Sequence, residues 1–181
     1  VRNQADGRWL DDNSGDWTAF VSGPQAAASG RRVGWDLPDR DLAIIDASTL
    51  AVRYASGLMN LNMALAVNPA SGEVGVVGTE ALNEVRFEPN VNSRFVRVRL
   101  ARVDPAPGGG KALSDLNPHL DYAPATRPQS ERALSLGDPR ALVYRADGQR
   151  AWVAGMGSNN VVAIDAQGRR VGAPIAVGAG P

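Results

Sequence analysis

Apolar residues along this chain come in short runs, and each run stops at glycine, proline, asparagine or aspartate. Brief runs rich in Val, Ile and Ala, bounded by turn residues, predict strands rather than helices. No amphipathic pattern with helix caps extends beyond about ten residues. Asp147-Gly148 between two apolar runs predicts a hairpin, and Asn68-Pro-Ala-Ser-Gly72 predicts a longer turn of the same kind. From Arg94 to Arg102 the alternation is strict, with Val96, Val98 and Leu100 on one side and Arg97 and Arg99 on the other. That pattern predicts a half-buried outermost strand whose arginines face water.

The runs repeat. Ala64-Leu-Ala-Val-Asn68 lies over Ala141-Leu-Val-Tyr-Arg145, a shift from 64 to 141, or 77 residues. The same shift lays Val74-Gly-Val-Val-Gly78 on Ala151-Trp-Val-Ala-Gly155, and Asn83-Glu-Val-Arg-Phe-Glu88 on Asn160-Val-Val-Ala-Ile-Asp165. A partial copy precedes them: Thr18-Ala-Phe-Val-Ser-Gly23 matches the glycine-ended run, and Leu42-Ala-Ile-Ile-Asp46 matches Val161-Val-Ala-Ile-Asp165. Each copy reads as four short antiparallel strands, the unit of a β-propeller blade. The expected fold is all-β, with about three four-stranded blades. Blade 1 spans about 7–57, blade 2 about 62–102, an inter-blade insertion about 103–138 and blade 3 about 139–177. Propellers close with about 4–8 blades, so these blades are expected to be part of a larger ring.

The stretch Gly148-Gln-Arg-Ala-Trp-Val-Ala-Gly-Met-Gly-Ser-Asn-Asn-Val-Val-Ala-Ile-Asp165 resembles the YVTN-type propeller repeat. Val177-Gly-Ala-Gly-Pro181 is similar to the link between blades in that family. Gly15-Asp-Trp-Thr18, Gly34-Trp-Asp-Leu-Pro-Asp39 and Thr79-Glu-Ala-Leu-Asn-Glu-Val-Arg-Phe-Glu-Pro89 resemble the propeller portion of bacterial secreted proteins associated with c-type cytochrome modules. The resemblance implies a periplasmic or extracellular protein with a protein partner, a redox module among the possibilities. It also admits a lactonase-like hydrolase, because similar propellers include enzymes that cleave lactones with polar groups, and often a divalent metal, at the channel mouth.

Composition narrows the choice of partner. Lys+Arg and Asp+Glu are both 19, which leaves no basic surplus to displace counterions from nucleic acid or to hold an anionic membrane. The chain has no cysteine, which removes disulfides, thiolate zinc, iron–sulfur clusters and cysteine-attached haem from these residues. Its single histidine, His119, excludes an HExxH zinc site. No apolar run approaches the roughly 20 residues that span a bilayer. Val1 to Asp6 lacks the apolar core of a signal peptide, and both ends read as cut edges.

Candidate chemistry is sparse. Gly108-Gly-Gly-Lys111 lacks the earlier glycine and the following Ser/Thr of a phosphate loop and reads as a flexible linker. Gly155-Met-Gly157 reads as a turn, so no cofactor motif is evident. Asp11, Asp12 and Asp16 around Asn13 offer oxygen ligands for calcium, but in the wrong spacing for an EF-hand, and Asx turns explain them equally. Asp36, Asp39 and Asp41 stand near Trp35 as a ligand group or ordinary loop chemistry. Asp121 is placed to orient the His119 imidazole, yet no nucleophile elbow accompanies the pair.

Loop lengths select a face. In a meander the second-to-third-strand loops and the links between blades emerge at one end, and the remaining turns at the other. The long connections, 24–40 and 103–138, and the loops ending at Asn83 and Asn160 all fall at the first end. The expected recognition surface comprises Trp35, Asp36, Asp39, Asn83, Glu84, His119, Asp121, Tyr122 and Asn160. The leading functional reading is a non-catalytic interaction module. The alternatives are a lactonase-like hydrolase using Asn83, Glu84 and Asn160, and a purely structural repeat segment.

Overall fold

The computed structural model describes residues 40–82, 94–122, 124 and 126–181. The chain divides into two compact units, Val1–Asp39 with Leu82–Arg94, and Arg40–Ala81 with Phe95–Pro181. The second unit carries the sheets. Asp11, Asp12, Asp16, Trp35, Asp36, Asp39, Asn83 and Glu84 lie outside the described residues.

The fold is all-β. Strands β1 (Leu42–Ile45) and β2 (Val52–Ala55) form an antiparallel hairpin. A four-stranded sheet follows in the order β3 (Leu61–Val67), β4 (Val74–Leu82), β5 (Arg94–Val103), β6 (Lys111–Asp115). After the short helix α1 (Gln129–Arg132) comes a second four-stranded sheet, β7 (Pro139–Tyr144), β8 (Arg150–Gly155), β9 (Asn160–Asp165), β10 (Arg170–Ala176). Neighbours in chain order are neighbours in each sheet, and β3 lies against β7. Meandering sheets that converge at their first strands have the arrangement of propeller blades.

The shift of 77 residues holds through the first two strands of each sheet. Ala66 pairs with Gly75 and Ala64 with Val77, as Val143 pairs with Trp152 and Ala141 with Ala154. Beyond them the expected register fails. The third strand of the middle sheet is β5, and the fourth is β6, drawn from the segment expected to be an inter-blade insertion. Turn chemistry gives the reason. Asp46, Asp104 and Asp165 each close a strand, and each accepts the amide two residues on, from Ser48, Ala106 and Gln167 at 3.0, 2.9 and 3.0 Å. These Asx turns mark the β1–β2 corner and the third-to-fourth-strand corner of both four-stranded sheets. Gly108-Gly-Gly-Lys111 belongs to one of them: Gly109 donates to the Ala106 carbonyl at 2.9 Å, and Lys111 opens β6. It is a hairpin corner, not a flexible linker.

Burial follows period two on both faces of the middle sheet. Val76, Ala101 and Val103 pack with Leu42, Leu58 and Met59 around the β1–β2 hairpin. Val77, Val98 and Leu100 pack on Leu142, Ala151, Val153, Val162 and Ile164 of the last sheet. Each such side chain withdrawn from water contributes about 1.5–3 kcal/mol. The arginines of β5 are therefore not a solvated stripe. Arg99 sits 2.7 Å from Glu80 with its side chain only 18% exposed, and the Arg97 guanidinium lies 4.7 Å over the Tyr122 ring. Partners supplied by another strand and by the inter-sheet link take these charges out of water, and no local pattern reveals such partners.

Candidate recognition surface

Strand alternation sends the β6–β7 link, residues 116–138, and the β8–β9 turn to the same end of the sheets. Two buried asparagines hold them together. The Asn117 amide donates to the Leu136 carbonyl at 2.9 Å and accepts the Leu136 amide at 2.8 Å, so it mimics a strand partner across the link. The Asn160 amide donates to the Ser135 carbonyl at 2.9 Å, while its oxygen accepts the Ser158 hydroxyl at 2.8 Å. Ser158 in turn accepts the Gly137 amide at 2.9 Å. Arg170 completes the arrangement from β10, donating to the carbonyls of Leu134 and Leu116 at 2.9 and 3.2 Å. Burial lowers the pKa of this guanidinium from its usual value. Both ends of the long link are thus tied down, with backbone groups of Leu116 and of Leu134 to Gly137 paired.

The expected site residues serve this element. Nε2 of His119 faces the Glu131 carbonyl at 3.2 Å, and because a carbonyl can only accept, Nε2 carries the proton. The Ser135 hydroxyl is 3.4 Å from the same nitrogen. Asp121 sits 3.6 Å from Arg127, whose Nε also donates to Glu131 at 2.9 Å. Tyr122 donates to Asp115 at 3.2 Å, and burial, together with that carboxylate, raises its phenol well above the ordinary tyrosine range. His119, Tyr122 and Asn160 are brought to one end, as expected, and each is engaged within the fold. Asn117, Ser158 and Arg170 were not anticipated. Their signal is faint: Asn117 stands two residues beyond the end of β6, and Arg170 directly follows the Asp165 turn.

The opposite end carries the short turns. There Asn68, itself buried, donates to the Gly148 carbonyl at 3.0 Å and accepts the amides of Ala70 and Ser71 at 2.9 and 3.3 Å. A groove of about 630 Å³ runs between the β1–β2 hairpin and the Asp104 turn. Its cations are used internally: Arg53 donates to the Pro105 carbonyl at 2.7 Å, and Lys111 to those of Ser56 and Gly57. Among the described residues no group of three or more His, Asp or Glu could hold a metal ion, and no helix is long and apolar enough to cross a membrane.

No family model matches the chain, and no curated protein matches it. Among solved structures, it is similar in fold to hydrazine synthase of Kuenenia stuttgartiensis, with a TM-score of 0.56 at 14% sequence identity. The alignment covers 76% of this chain and 43% of that one, so the chain spans less than half the length of its neighbour. At this identity the likeness shows the shared fold alone.

Proposed function

We propose that this chain is a non-catalytic propeller module of a periplasmic or extracellular bacterial protein, which binds a c-type cytochrome partner through the end bearing the 116–138 link. The observation that carries the reading is the clamp formed by Asn117, Asn160, Ser158 and Arg170, which ties both ends of a long surface connection, at Leu116–Asn117 and Leu134–Gly137, to the last sheet. A binding segment fixed in advance loses little conformational entropy on association. The side chains that one expects in a catalytic role, His119 and Asn160, are spent on that clamp and its surroundings. Support for the redox partner comes from the resemblance to cytochrome-associated propellers.

The test is biolayer interferometry with a monohaem c-type cytochrome as the soluble partner. The reading expects a measurable Kd, weakened at least about tenfold by a D121K/R132E charge reversal on the link, because rim charges govern encounter and register. A Q149R change at the opposite turns leaves it unaltered. Absence of binding, or equal loss in both variants, overturns it.

A further inference from the structure

Among the described residues, the last sheet is covered on one face only. Leu142, Ala151, Val153, Val162 and Ile164 are buried against the middle sheet. On the other face two rows cross all four strands. Val143 pairs with Trp152, Trp152 with Ala163 and Ala163 with Val171; Ala141 pairs with Ala154, Ala154 with Val161 and Val161 with Ile175. Every member is apolar, and Val143 and Ile175 are 59% and 54% exposed.

The repeat register identifies this face. Shifting by 77 places Val143 on Ala66, Trp152 on Gly75 and Ala154 on Val77, which are the positions through which the middle sheet receives the last one. Alignment of the Asx turns places Ala163 on Arg102 and Val161 on Leu100. The open face is thus the counterpart of a face that is already an interface, and it is the more apolar of the two. One position is inverted in size. A Cβ added to Gly75 would lie 2.4 Å from the Tyr144 hydroxyl and 2.8 Å from Leu142, so at the covered interface the middle sheet supplies a hole and the last sheet the bulky residues. On the open face Trp152 fills the place of that hole.

We infer that the open face of the last sheet is a docking surface for one further four-stranded antiparallel sheet of this repeat, belonging to the same protein and carrying small residues where Leu142 and Tyr144 stand. The inference is independent of the proposed cytochrome binding. It rests on continuity with the existing interface and on size complementarity, since core-like packing between apolar sheets tolerates no overlap of two large residues. The middle sheet of a second copy does not offer the counterpart: its equivalent face is already closed by the β1–β2 hairpin, with Val76, Ala101 and Val103 at 2%, 0% and 3% exposure.

The chain contains no cysteine, so V143C introduces a unique thiol on the open face within these residues, and Q149C a control on an exposed turn. Each is labelled with a maleimide reporter, once in the 181-residue chain and once in the protein as its source cell makes it. The 181-residue chain labels V143C at a rate similar to Q149C. In the native protein V143C labels at least about 100-fold more slowly, because access requires opening of the sheet pair, while Q149C is unchanged. Adding W152A, which removes the knob, then restores labelling of V143C by about tenfold or more. Equal rates for V143C in both preparations overturn the inference. So does protection that appears in the 181-residue chain as its concentration rises, since that assigns the face to a second copy.

Discussion

Removing the Asn68 side chain tests what joins the two four-stranded sheets at their short-turn end. Its amide is buried and makes three bonds: two accepted from its own turn and one donated at 3.0 Å to the Gly148 carbonyl of the next sheet. Asn68→Ala loses a cap-like contribution of about 1 kcal/mol. It also leaves the Gly148 carbonyl without its partner, at about 1–3 kcal/mol. The expected cost is about 2–4 kcal/mol, read in urea as a lower midpoint at constant m. Asn68→Asp keeps the acceptor for Ala70 and Ser71 but has no proton for Gly148 and turns a carboxylate oxygen toward that carbonyl, so it costs at least the inter-sheet part. Gly148 answers from the other side. Its φ is +67°, and an added Cβ would lie 2.1 Å from the Asn68 oxygen and 2.6 Å from the Ala70 methyl. Gly148→Ala therefore costs backbone strain of about 1 kcal/mol and a clash, of which the part against the Asn68 amide disappears when Asn68 is shortened. A double-mutant cycle of Asn68→Ala with Gly148→Ala should show a coupling of at least about 1 kcal/mol. Additivity within about 0.5 kcal/mol, or an Asn68→Ala cost below that figure, refutes the claim that this pair staples the sheets.

Three further outcomes follow from single positions. Leu50, 72% exposed, holds φ at +59°; Leu50→Gly should raise stability by about 0.5–1 kcal/mol in thermal melts, because left-handed backbone costs an L residue about 1–2 kcal/mol and glycine's larger unfolded-state entropy takes part of that back. Gly75→Ala should cost about 1–3 kcal/mol by overpacking, and Tyr144→Phe in the same chain should recover part of it by removing the hydroxyl that the new methyl meets. Tyr122 is held protonated above the ordinary range by burial and by Asp115, so the unfolded chain releases that proton first, near pH 10. Stability should be intact below pH 10 and fall as pH rises above it, and Tyr122→Phe should flatten the fall in urea titrations; an identical decline in the variant counts against the assignment.

How far the sequence reveals this structure depends on whether a residue's partner is local. The paired first and second strands were legible because glycine, asparagine and alternating apolar residues act within one hairpin, and Ala66–Gly75 and Val143–Trp152 realise the same register. The third strand of the middle sheet was not. Asn83–Glu88 imitates the apolar run of β9, whereas the better guide was the aspartate that closes the third strand of each four-stranded sheet, at 104 and 165, and β1, at 46. The arginines of β5 misled for a related reason: charge on a strand reads as exposure until Glu80 and Tyr122 arrive from elsewhere in the chain.

The same rule governs the residues singled out as chemistry. His119, Tyr122 and Asn160 stand at one end of the sheets, yet each is committed within the fold: His119 to the Glu131 carbonyl, Tyr122 to the Asp115 carboxylate, and Asn160 to the Ser135 carbonyl and the Ser158 hydroxyl. Polar side chains in a long connection have first to satisfy the backbone that the connection takes out of water. The outward-facing residues of the link include Pro118, Asp121, Gln129 and Arg132, with Gln149 as the contrast at the far end. Of these, Asp121 and Arg132 carry charge, which is why the binding test reverses those two and leaves the asparagines intact. Changing Asn117 or Asn160 would alter binding and folding together, whereas a charge reversal at Asp121 and Arg132 leaves the clamp intact and gives up within the fold the surface contacts of Asp121, such as its 3.6 Å pair with Arg127.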